Sequence, residues 1–328
     1  MMCLNTKSLS KAKRNINMKF GILGDAKIAR EKIQSAIVTA GHEIVQIGRR
    51  LPSKGADPIW GDVSVVSYEA LLENPEIDVI YNPLPNHLHA DWTIKALEAG
   101  KPVLCEKPIA LLEQDLDRLE EASRRTGLYI YDGFMIRYHP QWHWLQNLDL
   151  GQRQIIQVHF TYPPQPEGNV RNFSKFGGGP LWDIGGYCLM AGLMLFGGTP
   201  KLLGHTIVME KALDVEMIAS GIISFGSSQI LNFSVSSSAS LSQSLRLIGT
   251  KGWASLDVPF NPPEVARAYF ALQDGGKAEL LSKGREIIFD SCDQYQLMVT
   301  DFVDAISEGR ATDLSQSRHI IRVVNLMK

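Results

Sequence analysis

Four cysteines in a chain of 328 residues are few, and no two stand at C-x-x-C spacing. That scarcity argues against a disulfide framework and reads as a reducing, cytoplasmic setting. Charge of one sign is missing as well: 33 basic against 35 acidic side chains leave a net charge of −2. Without a basic field, neither a nucleic acid nor a membrane surface is an expected partner. Long apolar runs are also absent, the stretch from Cys188 to Phe196 falling far short of the roughly 20 residues that span a bilayer. The first residues carry Lys7, Lys11, Lys13 and Arg14 but no acid and no apolar h-region, so they do not form a secretory signal. A disordered extension over residues 1–17 is expected, an organellar leader being the alternative for so basic a stretch, with the fold beginning at Met18. What is plentiful is hydrophobic content, 45% of the chain, enough for two domains that share an interface.

From Met18 the apolar pattern repeats as strand, turn and helix. Strands are expected at Lys19–Leu23, Glu43–Ile47, Val63–Val66, Asp78–Asn82, Val103–Cys105 and Leu128–Tyr131. Between them, sets such as Ala29, Ile33, Ala36 and Ile37 recur on one face of a helix. Six short strands alternating with helices predict a parallel sheet with right-handed crossovers, whose ligands bind outside the carboxyl ends of the strands. Pro140 ends this alternation, which places a dinucleotide-binding Rossmann domain at 18–138 and a second, α+β domain at 139–328. There Gln154–Tyr162 reads as a strand and Leu181–Leu195 as a helix. Leu231, Phe233 and Val235 alternate with polar neighbours as in a sheet wet on one face. A hairpin is expected about Gly249-Thr250-Lys251-Gly252, and helices over Asp293–Glu308 and Ser315–Met327.

Three segments fall at strand ends of the first domain. Gly24-Asp25-Ala26-Lys27-Ile28-Ala29 is a G-x-A-x-x-A form of the dinucleotide fingerprint, in which a tight turn and the helix N-terminus hold the pyrophosphate. The second strand ends in Gly48-Arg49-Arg50 with no acid for a ribose 2′-hydroxyl; paired arginines suit a 2′-phosphate, so NADP(H) is favoured, with NAD(H) the alternative. Pro83-Leu84-Pro85-Asn86 is expected to shape a wall beside the nicotinamide ribose, Asn86 capping the next helix. His87 and His89 lack a third ligand at metal spacing, so no metal is expected. Cys105-Glu106-Lys107-Pro108 can present an ammonium to the crevice; a surface ion pair is the alternative.

Taken together, the Gly21–Ala29 loop, Pro85–His89, Glu106-Lys107-Pro108, Phe134-Met135-x-Arg137-x-His139-Pro140 and Gly177-Gly178-Gly179 through Asp183-x-Gly185-x-Tyr187 resemble the Gfo/Idh/MocA oxidoreductases. The resemblance covers nearly the whole chain from Met18, Ala26 being a departure from the commonest loop. It implies a second domain built on a large open, mostly antiparallel sheet that often makes a dimer interface, hence a homodimer or homotetramer. It also implies Lys107, Asp183 and Tyr187 as catalytic residues, and Arg137, Arg171, Asp183 and Tyr187 at the substrate. Asn86, His89, Glu106 and Lys107 stand with the Gly24–Ile28 loop, Arg49, Arg50 and Pro83–Pro85 as candidate cofactor contacts. The Pro163–Arg171 stretch is similar to the sugar 3-ketoreductase and dihydrodiol dehydrogenase branch, which implies a pyranose or cyclic diol substrate. Tyr187 as acid and base with Lys107 as electrostatic support is preferred to the reverse, Lys107 lowering the Tyr187 pKa. Glu106 is expected to orient Lys107, and Asp183 to bind a substrate hydroxyl or hold Tyr187. A non-catalytic cofactor sensor and a redox-cycling glycoside hydrolase are the alternative functions.

Overall fold

The computed structural model describes residues 17–55, 57–210 and 214–328; the expected extension lies almost wholly outside the described residues. The first half forms one parallel sheet from β1 (Lys19–Leu23), β2 (Glu43–Gly48), β3 (Ser64–Val66), β4 (Val79–Asn82), β5 (Val103–Cys105) and β6 (Ile130–Asp132), in the order β3-β2-β1-β4-β5-β6. Helical crossovers cover both faces: a π turn over Ala29–Ile33 that runs into α1 (Gln34–Thr39), then α2 (Tyr68–Glu73), α3 (His89–Glu98) and α4 (Glu113–Thr126). All residues of β4 and β5 are therefore buried, which is why they read as unbroken apolar runs. The strand order reverses between β1 and β4, so the crevice for a ligand opens at the carboxyl ends of those two strands.

After α5 (Pro140–Asn147) the chain builds an eight-stranded sheet. Its strands are β7 (Arg153–Thr161), β8 (Pro200–Glu210), β9 (Val215–Phe225), β10 (Gln229–Ser236), β11 (Ser242–Gly249), β12 (Gly252–Leu256), β13 (Ala266–Leu272) and β14 (Arg285–Phe289), in the order β14-β13-β12-β11-β7-β10-β9-β8. Pairing is antiparallel except between β10 and β7. Leu231, Phe233 and Val235 face the core, against α6 (Gly186–Phe196). The opposite face is open. The stretch from Ser174 to Phe196 is long and apolar enough to cross a bilayer by composition alone, yet 83% of its apolar window is buried in the fold. The expected 181–195 helix begins as a π turn over Leu181–Gly185, and this widened turn accommodates the Gly185-Gly186 pair.

The short α7 (Gly276–Leu280) precedes β14, and α8 (Gln294–Glu308) and α9 (Ser315–Met327) close the chain. Asp293 caps α8 by accepting the N–H groups of Tyr295 and Gln296 at 2.8 and 3.2 Å. α8 then returns to the first sheet and packs on α1, Phe302 lying 6.4 Å from Phe20. One continuous core runs through both halves.

Candidate active site

Gly24 turns β1 into the first helix with a φ of 103°, and its N–H donates to Gly48 O at 2.9 Å. A Cβ there would lie 3.1 Å from Leu84 Cδ2, so the loop after β4 closes on the turn and glycine satisfies both demands. The helix makes its first i→i−4 bond from Arg30 N–H to Ala26 O at 3.2 Å, and among the described residues the amides of Lys27, Ile28 and Ala29 have no backbone acceptor. Free amides at a positive helix end, beside a cradle that a Cβ would fill, fit a dinucleotide pyrophosphate. Ala26 leaves that fit intact.

The other candidates in this half take varied positions. Lys27 is 78% exposed and pairs with Glu31 at 3.7 Å, on the outer face of the helix. The Asp25 side chain turns under the loop toward Arg30 and Trp60. Arg49 is anchored through Nη1 to Gly55 O and near Asp25, whereas Arg50 is exposed. Pro83 and Leu84 are buried behind the crevice wall. Asn86 does not cap α3, whose N-cap is Leu88; its Nδ2 instead donates to Gly177 O at 2.9 Å and links the two halves. His89 is buried, with Nδ1 2.7 Å from Pro108 O and Nε2 2.5 Å from Leu84 O. It braces the two loops against each other and is closed off from a cofactor. Its neighbour His87 faces Phe176 at 4.9 Å.

The second half brings the opposing wall. Asp183 lies in the π turn and Tyr187 four residues later, on the same side of the helix. Lys107 Nζ donates to Asp183 O at 2.6 Å, lies 3.4 Å from Asp183 Oδ1 and sits 4.7 Å from the centre of the Tyr187 ring. Arg171 Nε donates to Asp183 Oδ2 at 2.6 Å. Gly177-Gly178-Gly179 shapes the approach: the Gly179 N–H donates to Arg171 O at 2.9 Å, and a Cβ on Gly179 would strike the buried carboxylate of Glu216. Glu216 in turn accepts the Leu181 N–H at 3.3 Å, steadying the turn that carries Asp183.

Charge in this cluster is arranged around one carboxylate. Burial pushes the Asp183 pKa up, but the charges of Lys107 and Arg171, with the hydrogen bond from Arg171, outweigh it and hold the group below its ordinary value. Glu106 is half-buried and its pKa is raised by desolvation despite Lys107, and it accepts the Tyr81 hydroxyl at 2.8 Å. It thus pairs with Tyr81 beside Lys107. The expectation for Tyr187 is reversed. Burial, with Tyr295, Glu106 and Asp183 nearby, raises its pKa well above 10.0, and its hydroxyl faces Met135 Sδ at 3.4 Å. Lys107 meets its ring, not its oxygen.

Arg137 is a second departure. Its guanidinium donates to Asp132 Oδ1 at 2.7 Å, Tyr131 Oη at 3.1 Å and Gln316 Oε1 at 3.0 Å. The Phe134 ring contacts both Arg137 and Tyr187 and stands between them. Tyr162, by contrast, was not marked by its sequence. It continues the inward alternation of Ile156, Val158 and Phe160 beyond β7, and its buried hydroxyl has no hydrogen-bond partner among the described residues. Among the described residues no group of three or more metal-ligating side chains gathers.

Comparison with known proteins gives matches along most of the chain. Residues 18–134 match the model of an oxidoreductase family with an NAD-binding Rossmann fold, and residues 142–255 match the GFO/IDH/MocA C-terminal domain. An uncharacterized oxidoreductase of Rhizobium meliloti is 34% identical over 95% of this chain and 96% of its own. A dTDP-3,4-didehydro-2,6-dideoxy-alpha-D-glucose 3-reductase of Streptomyces violaceoruber is 28% identical over 92% of this chain and 89% of its own. Among solved structures, a 3-ketoreductase from Actinomadura kijaniata in complex with NADP and TDP-benzene superposes with a TM-score of 0.86 at 25% identity, covering 95% and 97% of the two chains.

Proposed function

The chain belongs to the Gfo/Idh/MocA family of NAD(P)-dependent oxidoreductases, and from that premise we propose that it moves a hydride between NADP(H) and a carbinol or ketone carbon of a sugar. The observation that carries this reading is the Lys107–Asp183–Arg171 cluster, in which two cations meet one carboxylate just past the carboxyl end of β5. A bound nicotinamide supplies the carbon that gives or takes the hydride. Lys107 holds the proton: its ammonium donates to the carbonyl oxygen in reduction, and the amine accepts from the hydroxyl in oxidation. Charge that develops on that oxygen meets the Lys107 cation, whose side chain is 12% exposed, and the more exposed Arg171. Asp183 stays ionised and fixes the direction of both cations, and the Tyr187 ring forms the floor under Lys107. This is the reverse of the roles that the sequence favoured.

The sugar class is supported by relatives named as a dTDP-sugar 3-reductase and a D-xylose 1-dehydrogenase (NADP(+)). No observation favours a sensor or a hydrolase. A cytoplasmic setting accords with the free thiols of Cys105, Cys188 and Cys292, and a homodimer with the open face of the large sheet. The test is incubation with oxidised or reduced cofactor and a panel of free sugars, nucleotide-linked sugars and cyclic diols, following the absorbance of the reduced nicotinamide. Net turnover with a sugar supports the proposal. Glycosidic cleavage without net cofactor change, or binding without any turnover across the panel, rejects it.

A further inference from the structure

One carboxylate fastens the chain beyond β2 to the phosphate-binding turn. The Asp25 side chain is 8% exposed. Its Oδ1 accepts from Trp60 Nε1 at 2.8 Å and Arg30 Nη1 at 2.9 Å; its Oδ2 accepts the Asp57 N–H at 3.2 Å and lies 3.4 Å from Arg49 Nη1. Arg30 Nε also reaches Asp57 Oδ2 at 3.5 Å, and Gln34 Nε2 donates to Ile59 O at 2.8 Å. Burial pushes the Asp25 pKa up, but the donors from Trp60, Arg30 and Asp57 outweigh it and hold the group ionised. An anion in a loop that receives a pyrophosphate opposes that ligand unless cations neutralise it, and Arg30 and Arg49 do so here.

The geometry at Arg49 gives this carboxylate a use. Arg49 follows the carboxyl end of β2, which is in register with the Gly24 turn, where a Rossmann fold discriminates the adenosine ribose. Nη1 is taken by Gly55 O and Asp25. Among the described residues Nε and Nη2 have no acceptor, and the side chain is 28% exposed. A planar guanidinium held by one nitrogen presents its remaining edge in a set direction, the arrangement that a forked contact to phosphate requires. We infer that Asp25 is a positioning residue for cofactor selectivity, holding Arg49 with its free edge toward the 2′-phosphate of the adenosine ribose. The inference rests on the NADP(H) reading and assigns a determinant of it outside the arginines themselves.

The test is titration of adenosine 2′,5′-bisphosphate and of 5′-AMP into wild type, Asp25→Asn, Arg49→Ala, Arg49→Lys and Trp60→Phe, by calorimetry, with the melting temperature of each variant recorded. Asp25→Asn should weaken bisphosphate binding about tenfold, the loss of one well-placed charged contact, and change 5′-AMP binding less than about threefold. Arg49→Ala should show the same selective loss. Trp60→Phe removes a donor to Asp25 but leaves Arg49 anchored, so it should lower the melting temperature and keep the selectivity. If Asp25→Asn does not fold, Arg49→Lys reads the same point, because a lysine cannot be anchored by one nitrogen while offering another; it too should lose bisphosphate selectively. Equal weakening of both ligands in Asp25→Asn would mean that the carboxylate only supports the loop, and would overturn the inference. Unchanged bisphosphate affinity in Asp25→Asn, with a loss in Arg49→Ala, would overturn it while leaving the cofactor reading intact. Unchanged affinity in Arg49→Ala would remove the 2′-phosphate reading at this residue, and the inference with it.

Discussion

At the scale of single residues, the cluster around Asp183 separates two roles for neighbours only a few ångströms apart. Lys107 donates its ammonium to the Asp183 carbonyl with the carboxylate 3.4 Å away, whereas Tyr187 offers Lys107 a ring face and buries its hydroxyl against Met135. Lys107→Met should therefore lower kcat by about 10²–10⁴-fold, the range of a positioned proton donor, and leave cofactor Kd close to wild type. Tyr187→Phe should keep kcat within about tenfold, because the hydroxyl it removes contributes no positioned proton transfer. A steady-state comparison of the two variants decides the assignment; a larger loss in Tyr187→Phe than in Lys107→Met would restore the tyrosine as the proton donor. Asp183 adds a pH signature. Its folded pKa lies below the ordinary 3.8, so its contribution to stability is complete above that value and disappears as pH falls through the folded pKa. Urea unfolding of wild type and Asp183→Asn should show a gap at neutral pH that narrows only on the acid side of 3.8.

At the scale of elements, the strand-to-helix turns were the most legible feature, because each is encoded locally. A glycine with positive φ, an apolar strand before it and a helical period after it occupy adjacent residues, and Gly24 stands where that grammar requires it, while Gly127 ends α4 in the left-handed conformation before β6. Gly24→Ala should lower stability by about 1–2 kcal/mol through its left-handed backbone and also weaken cofactor binding, since the new methyl meets Leu84. A melt and a cofactor titration read the two effects separately. What the sequence hid are contacts made across long separations. Trp60 reaches Asp25 over 35 residues, and Arg137 reaches Gln316 over 179. No local period announces such pairs. The direction of the Tyr187 hydroxyl likewise depends on Met135, 52 residues earlier. Tyr162 was the recoverable one, since strand alternation alone puts it on the inner face.

At the scale of the whole molecule, Arg137 couples the halves. It joins Asp132 at the end of β6 to Gln316 on α9, and Ser317 of α9 donates to the same carboxylate. Asp132 is 3% exposed, so Arg137→Ala leaves a buried charge unpaired and should cost about 3–5 kcal/mol in chemical unfolding. The open face of the eight-stranded sheet bears on assembly. Ile230, Ile155 and Ile248 form one cross-strand row, and Ile218 pairs with Val208 farther along. The polar rows between them satisfy themselves in part: Ser220 Oγ is 2.8 Å from Ser234 Oγ, and His159 lies 2.8 and 3.0 Å from the hydroxyls of Ser242 and Ser244. Side chains already paired with each other lose little when water is removed, so apolar rows flanking such a centre suit the same face of a second copy. A stable dimer needs about 800 Å² from each partner, an area that a face spanning β8 to β11 can provide. Ile222 is 46% exposed on this face, between Gly204 and Asn232 of the neighbouring strands. Ile222→Asp would place two carboxylates near the centre of a self-complementary interface and, by burying unpaired charge, should convert a dimer to a monomer with cofactor affinity retained. Light scattering across a concentration series reads the result directly: a monomeric wild type, or an Ile222→Asp variant that stays dimeric, would rule out this face as the interface.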